Sequence, residues 1–481
     1  MAWLTRALFL LSLLSHLQLL TLAKTSDKKP AAAAPIAGAG PKEDLAYEEI
    51  DKFQIVYASN ATFPNSIPPT DGWWSSPHCL QSTYCIYINP TLSHNRGIVL
   101  LTKPTDFQKI SRLDHHLSAA TDRIEALTPD GSAPFEESYI LSKGPGLTAT
   151  MQLRRGKPLA LAAPVLLVHK DFFGDIWRRS ERNKLLEQAV SFLPPATRER
   201  FDRQRTLSLG PSPDGKDGKG TKRSIEQILL ASPFEIDLGS NSYTPLGAGG
   251  QESQADHSKH YVNYPSLSLF THSCRPNIAF HIDGNLALKT TVARKVSPGE
   301  ELSVAYVDPM KPRKERQEWV GKYRPSSGSG SGSGEESGGG GGGCPCPACS
   351  GHYPSVLSKQ HGHPHTSSPA EELAKSDARL TELESIRSEL RNHESRKVTP
   401  EMIEKFIKLH VEEGLESKMA EAYELAATNY NYLGEDRKAK KYADLAVQAA
   451  RIEYGRDAND VITMRIMAGD VRGHWSYQYK V

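Results

Sequence analysis

Neither sign of charge dominates this chain. Lysine and arginine total 58 against 56 aspartates and glutamates, a net charge of +2. Such a balance offers no basic footprint for nucleic acid, and no direct nucleic-acid binding is expected. Long apolar runs are equally scarce. After the first 23 residues no segment approaches a transmembrane span, so no span is expected in the mature chain. Cysteine is rare as well, six in 481 residues, and position matters more than number. The hydrophobic fraction of 38% fits a globular protein that carries some disordered segments. The length allows two or three domains, each with its own core.

The N-terminus has the order of a secretory signal. Arg6 supplies an early positive charge, a Leu-rich stretch follows, and Thr21-Leu22-Ala23 offers a small-residue cleavage site. His16 and Gln18 interrupt a stretch already short for a membrane anchor. The expected location is the secretory pathway or the exterior, with the cytoplasm or nucleus as the alternative. Asn60-Ala61-Thr62 is a glycosylation sequon, used only in the lumen. The organisation then reads as follows: signal peptide at 1–23, flexible linker at 24–45, and an N-terminal region at 46–135. A strand-and-turn domain follows at 136–309, with a helical insertion at about 171–262. A basic helix and a Ser/Gly linker fill 310–343, a cysteine cluster occupies 344–352, and a helical domain runs over 370–481. Leu185, Leu186, Ala189, Val190 and Leu193 recur at helical spacing, and Pro194-Pro195 should stop that helix. Ser224 is placed to cap a short helix. The Ser/Gly run cannot bury apolar surface and is expected to be disordered. Near the C-terminus, Leu425, Tyr430, Leu433, Gly434, Ala439, Tyr442 and Ala446 have the spacing of a tetratricopeptide-like hairpin, in either a plain bundle or a repeat array.

Two stretches carry chemistry. The first is Phe270-Thr271-His272-Ser273-Cys274-Arg275-Pro276-Asn277; the second is Pro298-Gly299-Glu300-Glu301-Leu302-Ser303-Val304-Ala305-Tyr306-Val307-Asp308-Pro309. A third, Cys344-Pro345-Cys346-Pro347-Ala348-Cys349, sits among glycines and prolines, a poor setting for core residues. Three thiolates at this spacing can grip a tetrahedral zinc, and a closed site needs a fourth ligand. His352 is local and Cys274 is distant; either completes the set. The competing arrangement is a metal-free, partly disulfide-bonded cluster. Cys79 and Cys85 remain, either as a disulfide closing a short loop or as two small buried hydrophobes.

The two-part pattern resembles the signature of SET-domain proteins of the SMYD-like kind, a family of protein-lysine methyltransferases. The resemblance covers roughly residues 139–349. It implies an α+β fold: a SET β-fold with a helical insertion, zinc-bound post-SET cysteines and a C-terminal α-helical domain. It implies zinc on Cys274, Cys344, Cys346 and Cys349. Gly144-Pro145-Gly146-Leu147-Thr148-Ala149 resembles the family's opening glycine turn. The resemblance therefore assigns Gly144, Gly146, Leu147, Thr271 and His272 to S-adenosylmethionine and Tyr306 to catalysis. The implied partner is a protein substrate offering a lysine side chain, with a further protein partner at the helical domain. Asn277 would be a structural hydrogen-bonding residue where two segments cross near Tyr306. Glu300, Glu301 and Asp308 are expected to be structural or solvated, because methyl transfer requires no carboxylate pair.

Three features depart from the family pattern. The cysteines of a MYND finger are absent, and the usual Asn of the central run is Thr271. The Ser/Gly run separates Trp319 and Tyr323 from Cys344, where an aromatic usually walls the lysine channel. These departures motivate the alternative of a catalytically degenerate SET fold that binds proteins. A weaker alternative is a secreted scaffold held by disulfides, without zinc.

Overall fold

The computed structural model describes residues 67–70, 73–75, 83–111, 123–124, 131, 133–140, 143–206, 223–230, 234–237, 258–283, 286–323, 344–351 and 368–479. The signal segment, linker 24–45, sequon at Asn60, Cys79, the Ser/Gly run and His352 lie outside them. Among the described residues no helix is long and apolar enough to cross a membrane.

The largest sheet has seven strands. Its outer members are β1 (Ile67–Thr70) and β2 (Trp73–Ser75) at one edge and β10 (Glu235–Asp237) at the other. Between them lie, in order, β3 (Cys85–Asn89), β4 (Ile98–Thr102), β9 (Leu166–His169) and β11 (Lys259–Asn263). Strands β3 and β4 are buried on both faces, which explains their unbroken runs of Ile, Val, Leu and Tyr. Val99, Leu101, Leu166 and Val168 face helices α1 (Arg179–Ser191), α2 (Pro195–Thr206) and α3 (Ile225–Leu230). Ile98, Leu100 and Leu167 face the main core instead. Because β4 pairs in parallel with β9, the N-terminal region and the strand-and-turn domain share one sheet.

Two four-stranded sheets complete that core. One joins β6 (Phe135–Ile140) and β7 (Gly144–Ala149) to β15 (Glu301–Val304) and β12 (Thr271–His272). The other joins β5 (Arg123–Ile124), β8 (Pro158–Ala162), β14 (Leu288–Val292) and β13 (Ile278–Ile282). The insertion is helical as expected, with two differences. The helix that carries Leu185 to Val190 begins at Arg179 and ends at Ser191, short of Leu193, after a separate turn at Phe172–Asp175. Pro195 opens the next helix as well as following the last, because a first helical residue has no intrahelical use for an N–H. Ser224 does cap its helix: its Oγ accepts the Gln227 amide at 3.2 Å and Gln227 returns an acceptor to the Ser224 amide at 2.9 Å.

After the basic helix α4 (Arg313–Tyr323) and the single turn α5 (Pro347–Ser350), five helices build the C-terminal domain. They are α6 (Pro369–Arg391), α7 (Pro400–Glu412), α8 (Met419–Tyr432), α9 (Asp436–Glu453) and α10 (Asn459–Gly469). Ser368 and Glu371 form a capping box, and Thr399 caps α7. Gly434, at φ +73, turns α8 into α9. Alanines 422, 426, 439, 443 and 446 are fully buried along that hairpin and let the helices approach closely. Tyr430 and Tyr442 stack at 5.5 Å, and both hydroxyls donate to Glu404.

Contacts of the helical domain with the strand domain include two at the crossing side. Ile452 of α9 packs on Ala279 and Ala293, flanking the β13–β14 pair. Arg275 reaches across to Glu413, donating to both its backbone carbonyl and its carboxylate.

Candidate active site and metal corner

Strand β15 is the organising element. It pairs in parallel with β12, matching Thr271 to Ser303 and His272 to Val304, and antiparallel with β7, matching Leu302 to Leu147. The glycine turn and the central run therefore flank one strand, although they lie more than a hundred residues apart. Gly144 opens β7 at φ +87, a conformation that disfavours any side chain. Gly146 is demanded by packing: an added Cβ would sit 2.6 Å from Ile140 Cγ1 and 2.8 Å from Thr271 Cγ2.

Asn277 pins the crossing. Its Oδ1 accepts the Ser303 amide at 2.9 Å, and its Nδ2 donates to the Glu301 carbonyl at 2.7 Å and to Glu300 Oε1 at 3.2 Å. The side chain is buried, and the bond from the Ser303 amide is shielded from water. Proline before it fixes the approach of the chain.

Sequence reasoning placed Thr271 and His272 against a cofactor, and the structure gives both side chains protein partners. The Thr271 hydroxyl donates to Glu301 Oε1. Lys143 Nζ holds the same carboxylate at 2.8 and 3.0 Å and donates to the His272 carbonyl at 3.0 Å. The His272 ring accepts the Tyr306 amide on Nδ1 at 3.0 Å, and its Nε2 lies 3.3 Å from Cys274 Sγ. Tyr306 is buried in the main core, and its hydroxyl donates to the Phe270 carbonyl at 2.5 Å. The three acidic side chains are structural, as expected. Glu300 pairs with Arg294 at 2.6 Å, Glu301 is committed to Lys143, and Asp308 caps the Met310 amide.

Cys274, Cys344, Cys346 and Cys349 converge, with all four Sγ atoms within 4.8 Å of one another. All four are buried and none is in a disulfide. The convergence selects Cys274 as the fourth member of the set. Turn α5 presents Cys349 over Cys346, the Gln317 side chain accepts the Cys344 amide at 2.7 Å, and Val320 and Trp319 pack alongside. Hydrogen bonds with its three neighbours, and burial, push the Cys274 thiol up; hydrogen bonds from the other three hold Cys346 down. Four thiols sharing one small volume cannot all ionise without a cation. The donor set, its number and its closeness fit a tetrahedral zinc. Trp319 also touches the main core, so it links the metal corner to the site. Cys85 is disulfide-bonded.

Lys143 and Phe270 were missed at the level of sequence. Lys143 stands directly before the glycine turn, yet nothing in sequence pairs it with Glu301. Phe270 acts through its carbonyl, a group every residue carries.

A crossing pinned by an asparagine, a buried tyrosine beside it and a four-cysteine corner define a SET-type fold. A family model for the SET domain matches residues 144–307, and the chain carries a SET domain over that span. Among solved structures, the Neurospora SET domain protein DIM-5, a histone lysine methyltransferase, matches at 14% identity over 37% of this chain, with a TM-score of 0.20. The chain spans about half, 53%, of that structure's length. Curated proteins gave no match.

Proposed function

We propose that the chain is an S-adenosylmethionine-dependent protein-lysine N-methyltransferase. The observation that carries this reading is Tyr306, buried and held at its hydroxyl by the Phe270 carbonyl, beside the strand that brings together β7 and β12. The cofactor, when bound, supplies an electrophilic methyl on sulfur. Its amino-acid end is a zwitterion, and Lys143 and Glu301 would meet it only by parting from each other. Backbone groups of Gly144, Gly146 and Leu147 and the main chain of Thr271 and His272 are the other groups that would hold it. The Thr271 hydroxyl is already spent on Glu301.

The tyrosine does the positioning work. With its proton directed at Phe270 O, the Tyr306 oxygen keeps lone pairs available to orient an incoming amine. A lysine amine is ordinarily protonated, near pKa 10.4, so the proton must leave before transfer. Among the described residues Glu300, Glu301 and Asp308 each have a partner, so the amine would give its proton to solvent before it enters the site. Fixed orientation in a site that excludes water is the main contribution expected of this chain. Zinc on the four cysteines would be structural, a closed site with no open position.

Titration of S-adenosylmethionine into the purified full chain tests the reading; no binding at millimolar cofactor ends it. Tyr306→Phe is expected to abolish lysine methylation on a peptide array while retaining cofactor binding.

A second reading has its own observation. Lys143, Glu301 and Thr271 satisfy one another, as they would in a SET fold that had lost its ligand and kept a protein-binding role, with the helical domain engaging the partner. Turnover that vanishes in Tyr306→Phe counts against it. We also propose entry into the secretory pathway, supported by residues 1–23, the Asn60 sequon and the disulfide at Cys85. A glycosidase-sensitive mass shift at Asn60 tests that location.

A further inference from the structure

We infer that His272 is a positioning residue that ties the metal corner to Tyr306 through the two nitrogens of one ring. This rests on reading the four cysteines as a zinc site and Tyr306 as the reactive tyrosine.

The argument begins with the proton. The Tyr306 amide can only donate, so Nδ1 of His272, 3.0 Å away, must be an acceptor. In a neutral imidazole the ring proton then lies on Nε2. Nε2 sits 3.3 Å from Cys274 Sγ, a normal N–H···S separation. The ring is 3% exposed, so water does not compete at either end. The tautomer is fixed by the Tyr306 amide, and the donated proton falls on one of the four metal-binding sulfurs.

The placement of Tyr306 shows why such a link matters. The parallel pairing of β12 with β15 ends at His272 and Val304, followed by one bond from the Ser273 amide to the Val304 carbonyl at 3.0 Å. Ala305 and Tyr306 lie past the strand. There the His272 ring takes over, holding the Tyr306 amide, while Phe270 O holds its hydroxyl. Segment 270–272 therefore grips the tyrosine at both ends. One grip is a side chain whose orientation depends on where Cys274 Sγ is fixed. A metal that fixes that sulfur fixes the ring, and the ring fixes the tyrosine backbone. In the other direction, a hydrogen bond to a thiolate draws electron density from sulfur and tunes its bond to the metal.

Cobalt(II) in place of zinc makes the corner visible through its thiolate charge-transfer absorption. The full chain is loaded with cobalt and compared with His272→Phe, which keeps a ring but no nitrogen, and His272→Gln, which keeps a donor. We expect His272→Phe to shift the charge-transfer band and to lose metal to a chelator at about 10- to 100-fold lower concentration. His272→Gln should recover part of both effects. Hydrogen exchange at the Tyr306 amide should quicken more than at the Ser303 amide, which Asn277 holds, in metal-loaded His272→Phe and also in wild type stripped of metal. An unshifted band in folded His272→Phe overturns the link to sulfur. An unchanged Tyr306 exchange rate on metal removal overturns the link to the tyrosine. Wild type that takes up no cobalt sinks the metal reading itself, and the proposal with it. Failure of methylation alone leaves all three readouts intact and bears only on the enzymatic reading.

Discussion

The crossing around Asn277 and the hairpin around Tyr430 are both buried, yet they are assembled differently. In the crossing, residues 143, 271–277, 300–306 and 344–349 meet through single side-chain contacts, some between positions 158 apart in sequence. In the hairpin, α8 and α9 are adjacent in sequence, joined by one glycine turn, and packed through alanines and two stacked tyrosines. The crossing depends on a few polar bonds that cannot be traded for water, whereas the hairpin spreads its stability over many small apolar contacts. The first arrangement should fail abruptly and the second gradually.

The largest test is the metal corner. Structural zinc sites are worth on the order of 10 kcal/mol in small domains. Cys274→Ser, or chelation, is expected to abolish stoichiometric zinc and to unfold the SET region while helical circular dichroism of the C-terminal domain persists. Metal analysis and denaturant curves check this. Loss of both regions together would erase the contrast.

Next is the joint between them. Burial pushes Glu413 up, but Arg275 and Arg379 outweigh it and hold the carboxyl below its usual range. Glu413→Ala leaves two guanidiniums without their carboxylate and should cost about 3–5 kcal/mol in urea unfolding. The two regions should then melt as separate transitions.

Asn277→Ala deserts the Ser303 amide and the Glu301 carbonyl, and a loss of about 3 kcal/mol is expected at constant m-value. A loss below about 1 kcal/mol, the size of an ordinary exposed hydrogen bond, would show that the crossing is not held this way.

The smallest effect lies in the helical domain and depends on pH. Glu453 accepts the Ala420 amide at 2.7 Å near the start of α8, and burial pushes its carboxyl from 4.5 up to about 7. The folded chain keeps a proton there that the unfolded chain releases. Stability from this group is fully present below about pH 4.5 and is lost as pH rises to about 7. The change amounts to at most about 3 kcal/mol. Glu453→Gln should flatten that slope and leave the crossing untouched; chemical denaturation from pH 4.5 to 8 reads it out.

Legibility in the sequence follows the same division. The hairpin, the cap at Ser224 and the basic helix within 310–343 are local, and their residue spacing and capping chemistry suffice to mark them. The shared sheet of β4 and β9 was not legible, because parallel pairing leaves no mark in a short apolar strand. Tyr306, Asn277 and Cys274 were identified from a patterned stretch, not from any physical property of the single residues. Lys143 could not be, since its partner is 158 positions away.

The sequence, through its resemblance to a known family, pointed to the glycine turn, the central run, the tyrosine and the clustered thiols as the expected site residues. Which of these touch was decided by folding. The crossing turns Thr271 toward Glu301 and sets the His272 ring between Tyr306 and Cys274. Among the described residues Cys274, distant in sequence, completes the cysteine set for the same reason. Spacing can mark a residue type suited to a task, but a hydrogen bond is a matter of a few tenths of an ångström, and only the packed chain fixes distances on that scale.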